Sequence, residues 1–175
     1  MNLHESPVAL ADGGVFRIRR GLDPGTYRVA EVFPDIRNCA VLAEIFPGAE
    51  EIDRVFARIR VLVAEMPHEM FVDNHNGSIT IGLNHLRNAS DTFLYLDIVH
   101  ELCHVRQQSE GRNLYDRSKA YVDRETEIEA YRLTVREARR IGLDDEEIAC
   151  YLRVSWITAE EHGRLLRNLG ISQGG

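Results

Sequence analysis

His100-Glu101-Leu102-Cys103-His104 places three polar side chains inside a long apolar segment whose other members include Phe93, Leu94, Leu96, Ile98, Val99 and Val105. Those apolar positions wrap most of a helix rather than one face, which predicts a helix buried in the domain centre. At about 3.6 residues per turn, His100 and His104 then stand one above the other, at a spacing where two imidazoles grip one metal ion. Glu101 lies beside them, within reach of a metal-bound water. Buried polar groups cost free energy unless bonded or metal-bound, so the segment itself asks for a partner. Two neutral nitrogen ligands, a third ligand from elsewhere, an open position for water and a carboxylate to take its proton are what a zinc hydrolase needs.

Outward from this helix, Ser90 or Asp91 can cap its start and Gly111 marks its stop. Upstream, Glu69-Met70-Phe71-Val72-Asp73 and Ser78-Ile79-Thr80-Ile81-Gly82-Leu83 flank Asn74-His75-Asn76-Gly77, a strong hairpin signal. The second run could offer an edge strand for a peptide, or the hairpin could be purely structural. Residues 84 to 90 read as a polar connection. Before the hairpin, Ile52, Val55, Phe56, Ile59, Leu62 and Val63 recur at steps of three and four up to Pro67, which predicts one amphipathic helix from Pro47 to Met66. Arg54, Arg58 and Arg60 form its solvated face. Residues 38 to 46 are ambiguous between helix and strand. Val15-Phe16-Arg17-Ile18-Arg19 and residues 27 to 32 read as strands joined by a Gly-Pro turn, after a loosely ordered lead-in of about a dozen residues.

Downstream of the motif a polar loop precedes a second long helix, from about Tyr121 to Arg140, rich in carboxylates in its first turns. Glu125 and Glu129 share one face of that helix, and Glu127 points almost oppositely. Beyond Gly142 two shorter helices follow, the last capped at Thr158 and stopped at Gly170. They could resemble a helix-turn-helix, but Glu160 and Glu161 would crowd a DNA phosphate, and packing on the main body is expected.

A length of 175 residues fits residues 1–142 as one domain with residues 143–175 as a helical extension packed on it. With 44% hydrophobic and 28% charged residues the composition is that of a globular protein, and a net charge of −7 argues against a general nucleic-acid partner. There is no run of about 18 apolar residues to span a membrane and no signal-like start. Three cysteines in no paired spacing suggest reduced thiols, hence a cytoplasmic setting. Cys103 is expected to fill the core rather than bind metal, since it points about 100° away from His104. Asp97 is either an acceptor behind the site or a helix-face charge.

The hairpin, the helix bearing His100-Glu101-Leu102-Cys103-His104 and the later Glu127-Ile128-Glu129-Ala130 together resemble the zincin metallopeptidases of the glutamate-ligand (gluzincin) type, over roughly residues 70 to 140. The compact ImmA/IrrE-like proteins carry a similar Glu-x-Glu-Ala pattern, from which Tyr131 and Arg132 depart. The resemblance implies an α+β fold, a small mixed or antiparallel sheet packed on the motif helix and the glutamate-bearing helix. It further implies Zn2+ on His100, His104 and Glu129, which lies 25 residues after His104 and precedes a small residue. Glu125 is the rival third ligand. The implied activity is hydrolysis of a peptide or protein substrate by a zinc-activated water, with Glu101 as general base. Tyr121, Tyr131, His75 and His85 are candidate oxyanion donors. The alternative is a zincin-shaped binding or regulatory protein with a structural metal or none. The absence of a third histidine between residues 105 and 120 speaks against the three-histidine class.

Overall fold

The motif helix is the hub of an α+β protein, and the computed structural model describes residues 7–172 of it. Strands β1 (Val8–Ala9) and β2 (Val15–Phe16) pair antiparallel, so the end of the expected loose lead-in is ordered, while residues 1–6 lie outside the described residues. Only Val15 and Phe16 of the expected first strand pair. Phe16 is fully buried, with its ring 4.6 Å from that of Tyr95. β3 (Gly25–Arg28) leads directly into helix α1 (Val29–Val32), where a continuous strand was expected. The Glu31 carboxylate accepts from the Arg28 N–H at 2.6 Å and so starts the helical turn. The ambiguous segment becomes a 3-10 turn (Ile36–Asn38) and helix α2 (Leu42–Ile45).

The single helix expected from Pro47 to Met66 is instead α3 (Ala49–Arg58) followed by β4 (Arg60–Ala64). Val61 and Val63 are buried whereas Arg60 and Leu62 face out, a period of two that the three-and-four spacing had concealed. The hairpin forms as expected, from β5 (Met70–Val72) and β6 (Ile79–Gly82), with Gly77 in the left-handed region at φ 72°. The main sheet runs β3-β4-β6-β5 and is mixed, since β4 and β6 are parallel and the other pairs antiparallel. β6 is therefore internal, and the edge falls to β5 rather than to the second run of the hairpin. Gly82 closes β6 where no side chain fits, because a Cβ there would lie 2.1 Å from the His68 carbonyl oxygen.

Residues expected to be a plain connection form helix α4 (Leu83–Asn88). Next comes the motif helix, α5 (Asp91–Ser109), with the Ser90 hydroxyl accepting from the Phe93 N–H at 3.1 Å. A 3-10 turn (Tyr121–Asp123) precedes α6 (Glu125–Arg140), and the chain continues through α7 (Asp145–Tyr151) and α8 (Ala159–Leu169). α5 packs against α6 on one side and β5 on another, with α2 and β1 also touching it. That enclosure explains why its apolar residues go all the way round. α8 packs on α6 and on the Tyr121–Asp123 turn, and Arg164 pairs with Asp123 at 3.1 Å. Among the described residues no helix is long and apolar enough to cross a membrane.

Candidate metal centre and groove

His100 and His104 are each 5% exposed, and their Nε2 atoms lie 2.9 Å apart on one face of α5. The carboxylate that meets them is Glu127, whose Oε2 is 3.3 Å from each Nε2. Donors about 2.0–2.1 Å from a tetrahedral ion sit roughly 3.3 Å from one another, so this trio has the span of a metal site. Among the described residues it is the group that could hold a metal ion. Glu129, the expected third ligand, does not join it. Its carboxylate is ion-paired with Arg106 and Arg112. Glu125 is exposed and pairs with Lys119 at 2.8 Å.

The reason lies in which stripe of α6 is apolar. Counting from Glu127 at steps of three and four gives Ala130, Tyr131, Thr134 and Ala138, all buried. From Glu129 the same steps reach Arg132, Leu133, Arg136 and Arg140, three of them charged. Burial of the first stripe against α5 carries Glu127 inward and leaves Glu129 on the arginine side. The structure thus brings Glu127, not Glu129, to the two histidines.

Gln107, one turn beyond His104, was not anticipated. The His104 Nδ1–H donates to Gln107 Oε1 at 2.7 Å, which leaves the Nε2 lone pair directed at the centre. Gln107 is itself fully buried and donates to the Thr126 carbonyl at 3.0 Å and to Glu129 Oε2 at 3.2 Å. Glu129 thus acts at a distance of two hydrogen bonds. Gln107→Leu is expected to weaken metal binding by about 10–100-fold without removing a ligand, as competition with a chromogenic chelator would measure. The Nδ1 of His100, by contrast, is buried without a protein partner among the described residues.

Electrostatics bind the trio in the absence of a metal. Burial opposes an imidazolium at His104, but the Glu127 carboxylate overrides it and lifts the pKa to about 9. Burial likewise opposes ionisation of Glu127, and the two imidazoles together hold its carboxyl far below the usual range. Because the His104 value in the folded state lies above the ordinary imidazole value, the pair stabilises the metal-free protein fully below about pH 6.5 and ceases to as pH rises through about 9. Uptake of a divalent ion at pH 7 must then expel about one proton. Calorimetry in buffers of different ionisation enthalpy should register that proton, and metal affinity should climb with pH until His104 is neutral.

Glu101 is 7% exposed and accepts no hydrogen bond from any described residue. Burial raises its pKa, with the two histidines opposing. Cys103 is buried and its thiol is pushed up to about 12, mainly by burial, as suits a packing residue. Asp97 accepts from the His85 ring at 2.7 Å and from the Tyr151 hydroxyl at 3.0 Å. It is therefore bonded away from the trio rather than to any member of it. Of the candidate donors, Tyr131 sets its ring 4.3 Å from that of His100, tilted by 49°, and its hydroxyl bonds that of Tyr121 at 2.8 Å. Tyr121 lines the groove above the trio, whereas His75 is exposed in the hairpin turn and His85 faces a separate inner cavity.

The groove encloses about 470 Å³ between β5 and the loop after α5, with Phe71, Leu114, Tyr115 and Trp156 among its walls and His100, Glu101, His104 and Glu127 at its floor. β5 turns a usable edge toward open space. The Gly82 N–H to Glu69 carbonyl and Asp73 N–H to Ser78 carbonyl bonds, each 2.8 Å, fix the alternation, so Met70 and Val72 point their backbone groups away from β6. One is already engaged: the Val72 carbonyl accepts from the Tyr115 hydroxyl at 2.6 Å.

No family model, no curated protein and no solved structure matches this chain. The functional reading therefore rests on the residues and their geometry.

Proposed function

We propose that the protein is a zinc-dependent metallopeptidase of the zincin kind, with zinc on His100, His104 and Glu127. The observation that carries the proposal is the convergence of two helix-borne imidazoles and a buried carboxylate beside Glu101, a carboxylate with no other partner. Two nitrogens and one oxygen suit zinc with a fourth position left open, and Asp97 and Asp123, which could have closed the site, are bonded elsewhere. A bound zinc ion supplies Lewis acidity, acidifying a water and polarising a carbonyl.

The chain's own residues do the remainder. Glu101 takes the proton from the attacking water and delivers it to the leaving amine. Its buried setting favours the protonated form between those two events. With Tyr131 as the donor of their hydroxyl pair, the Tyr121 hydroxyl has its own proton for the oxygen of the attacked carbonyl. Met70 and Val72 offer backbone groups to an extended peptide, and the apolar walls exclude water. The test is incubation of the protein, loaded with one zinc per chain, with a diverse peptide mixture and mass-spectrometric reading of new termini. Cleavage that a chelator abolishes and zinc restores is expected. A fully loaded protein that cuts nothing in the mixture overturns the proposal.

A further inference from the structure

A second cavity of about 130 Å³ opens beside His100 and Glu101 and shares Glu69, Tyr121 and Trp156 with the groove. It exceeds the roughly 30 Å³ share of one water several-fold, enough for a long side chain. Its lining is of two kinds. Aromatic rings of Phe93, Tyr121, Tyr131, Tyr151 and Trp156 form the walls, with Phe93 and Tyr151 packed edge-on at 5.3 Å and Tyr121 and Trp156 at 5.9 Å. Three carboxylates, Glu69, Asp97 and Glu101, face the same space.

The carboxylates differ in what they already hold. Asp97 already holds His85 and Tyr151, and that pairing raises the His85 pKa against the effect of burial. Glu69 is half-buried, and its side-chain carboxylate has no hydrogen bond or ion pair with any described residue. Burial accordingly raises its pKa. Glu101, 7% exposed, is equally without a donor. An ionised carboxylate only accepts, and Glu69 and Glu101 line the cavity with no donor on them from any described residue. The one guanidinium in the lining, Arg153, is exposed. Aromatic faces with an unpaired carboxylate among them are the surroundings that favour an ammonium or guanidinium group.

We propose that this cavity receives the lysine or arginine side chain of the substrate residue adjoining the cleaved bond, with Glu69 as its counter-ion. The assignment rests on the peptidase reading above. α7 and the segment after it contribute Tyr151, Arg153 and Trp156, so the C-terminal part of the chain builds the pocket.

Two measurements on the full zinc-loaded chain test it. In the first, fluorogenic peptides carry lysine, norleucine or glutamate at each position flanking the cut. Lysine is expected to exceed norleucine by about tenfold or more in kcat/KM at one of those positions. Glu69→Gln should bring that ratio to near unity and Glu69→Lys should turn the preference to glutamate. In the second, n-butylammonium and n-butylguanidinium are compared with 1-pentanol by ligand-observed NMR, which needs no turnover. Cations that bind about tenfold tighter than the alcohol, and lose that margin in Glu69→Gln, support the pocket even if no peptide is cut, in which case the peptidase reading alone fails. Cleavage without a basic preference, or cations that bind no better than pentanol, overturns the pocket and leaves the peptidase reading standing.

Discussion

Glu101→Gln is expected to retain one zinc per chain and to lower peptide hydrolysis by about 10²–10⁴-fold, the usual contribution of a positioned general base. The substitution is nearly isosteric and removes only the ability to take a proton. Because Glu101 sits buried without a hydrogen-bond donor and its ionised form is disfavoured there, a neutral amide should not destabilise the fold. The melting temperature of the variant should equal or exceed that of the parent, which separates lost chemistry from lost structure. Metal analysis, a thermal melt and a peptide assay on one preparation suffice. Hydrolysis within about tenfold of the parent would remove Glu101 from the mechanism.

The second large effect separates two glutamates two residues apart. Glu127→Gln should weaken zinc binding by about 100-fold or more, since it takes away a charged ligand from a three-ligand set. Glu129→Gln should weaken it by no more than about tenfold, because Glu129 reaches His104 only through Gln107. Without metal the order is informative too. In Glu127→Gln the His104 imidazolium loses its counter-charge, so its pKa should fall from about 9 and the proton released on zinc uptake at pH 7 should largely vanish. If Glu129→Gln proves the more damaging, the third ligand is Glu129, as the motif resemblance implies, and not Glu127.

The residues of the motif could be read from the sequence because their evidence is local. A helix fixes the relation of His100 to His104, and Ser90, Gly77 and Thr158 announce a cap, a turn and another cap through their own chemistry. Which carboxylate meets the two histidines was harder to read, since it depends on which side of α6 turns inward. The signal was nevertheless present in the apolar stripe through Ala130, Tyr131, Thr134 and Ala138, which passes through Glu127 and misses Glu129. The join of α3 to β4 shows the opposite difficulty. Ile59, Val61 and Val63 satisfy a strand as well as Ile52, Val55 and Phe56 satisfy a helix, and pairing with β3 and β6 decides between them. Nothing in the sequence could place Tyr115 on Val72 or Glu69 beside Asp97, because these meetings join loops and elements distant along the chain.

In the proposed docking of a peptide at β5, the Tyr115 hydroxyl on the Val72 carbonyl makes the incoming amide a competitor. A peptide amide arriving there would meet an acceptor already shared with the protein's own tyrosine, and would gain less than from a free carbonyl. Backbone pairing then holds a peptide in register while adding little net affinity at that position. Selection among sequences is left to the side chains on either side of the cut. On the proposed peptidase reading, the loop carrying Tyr115 would be a resident competitor for that position, favouring ligands that also satisfy the neighbouring subsites.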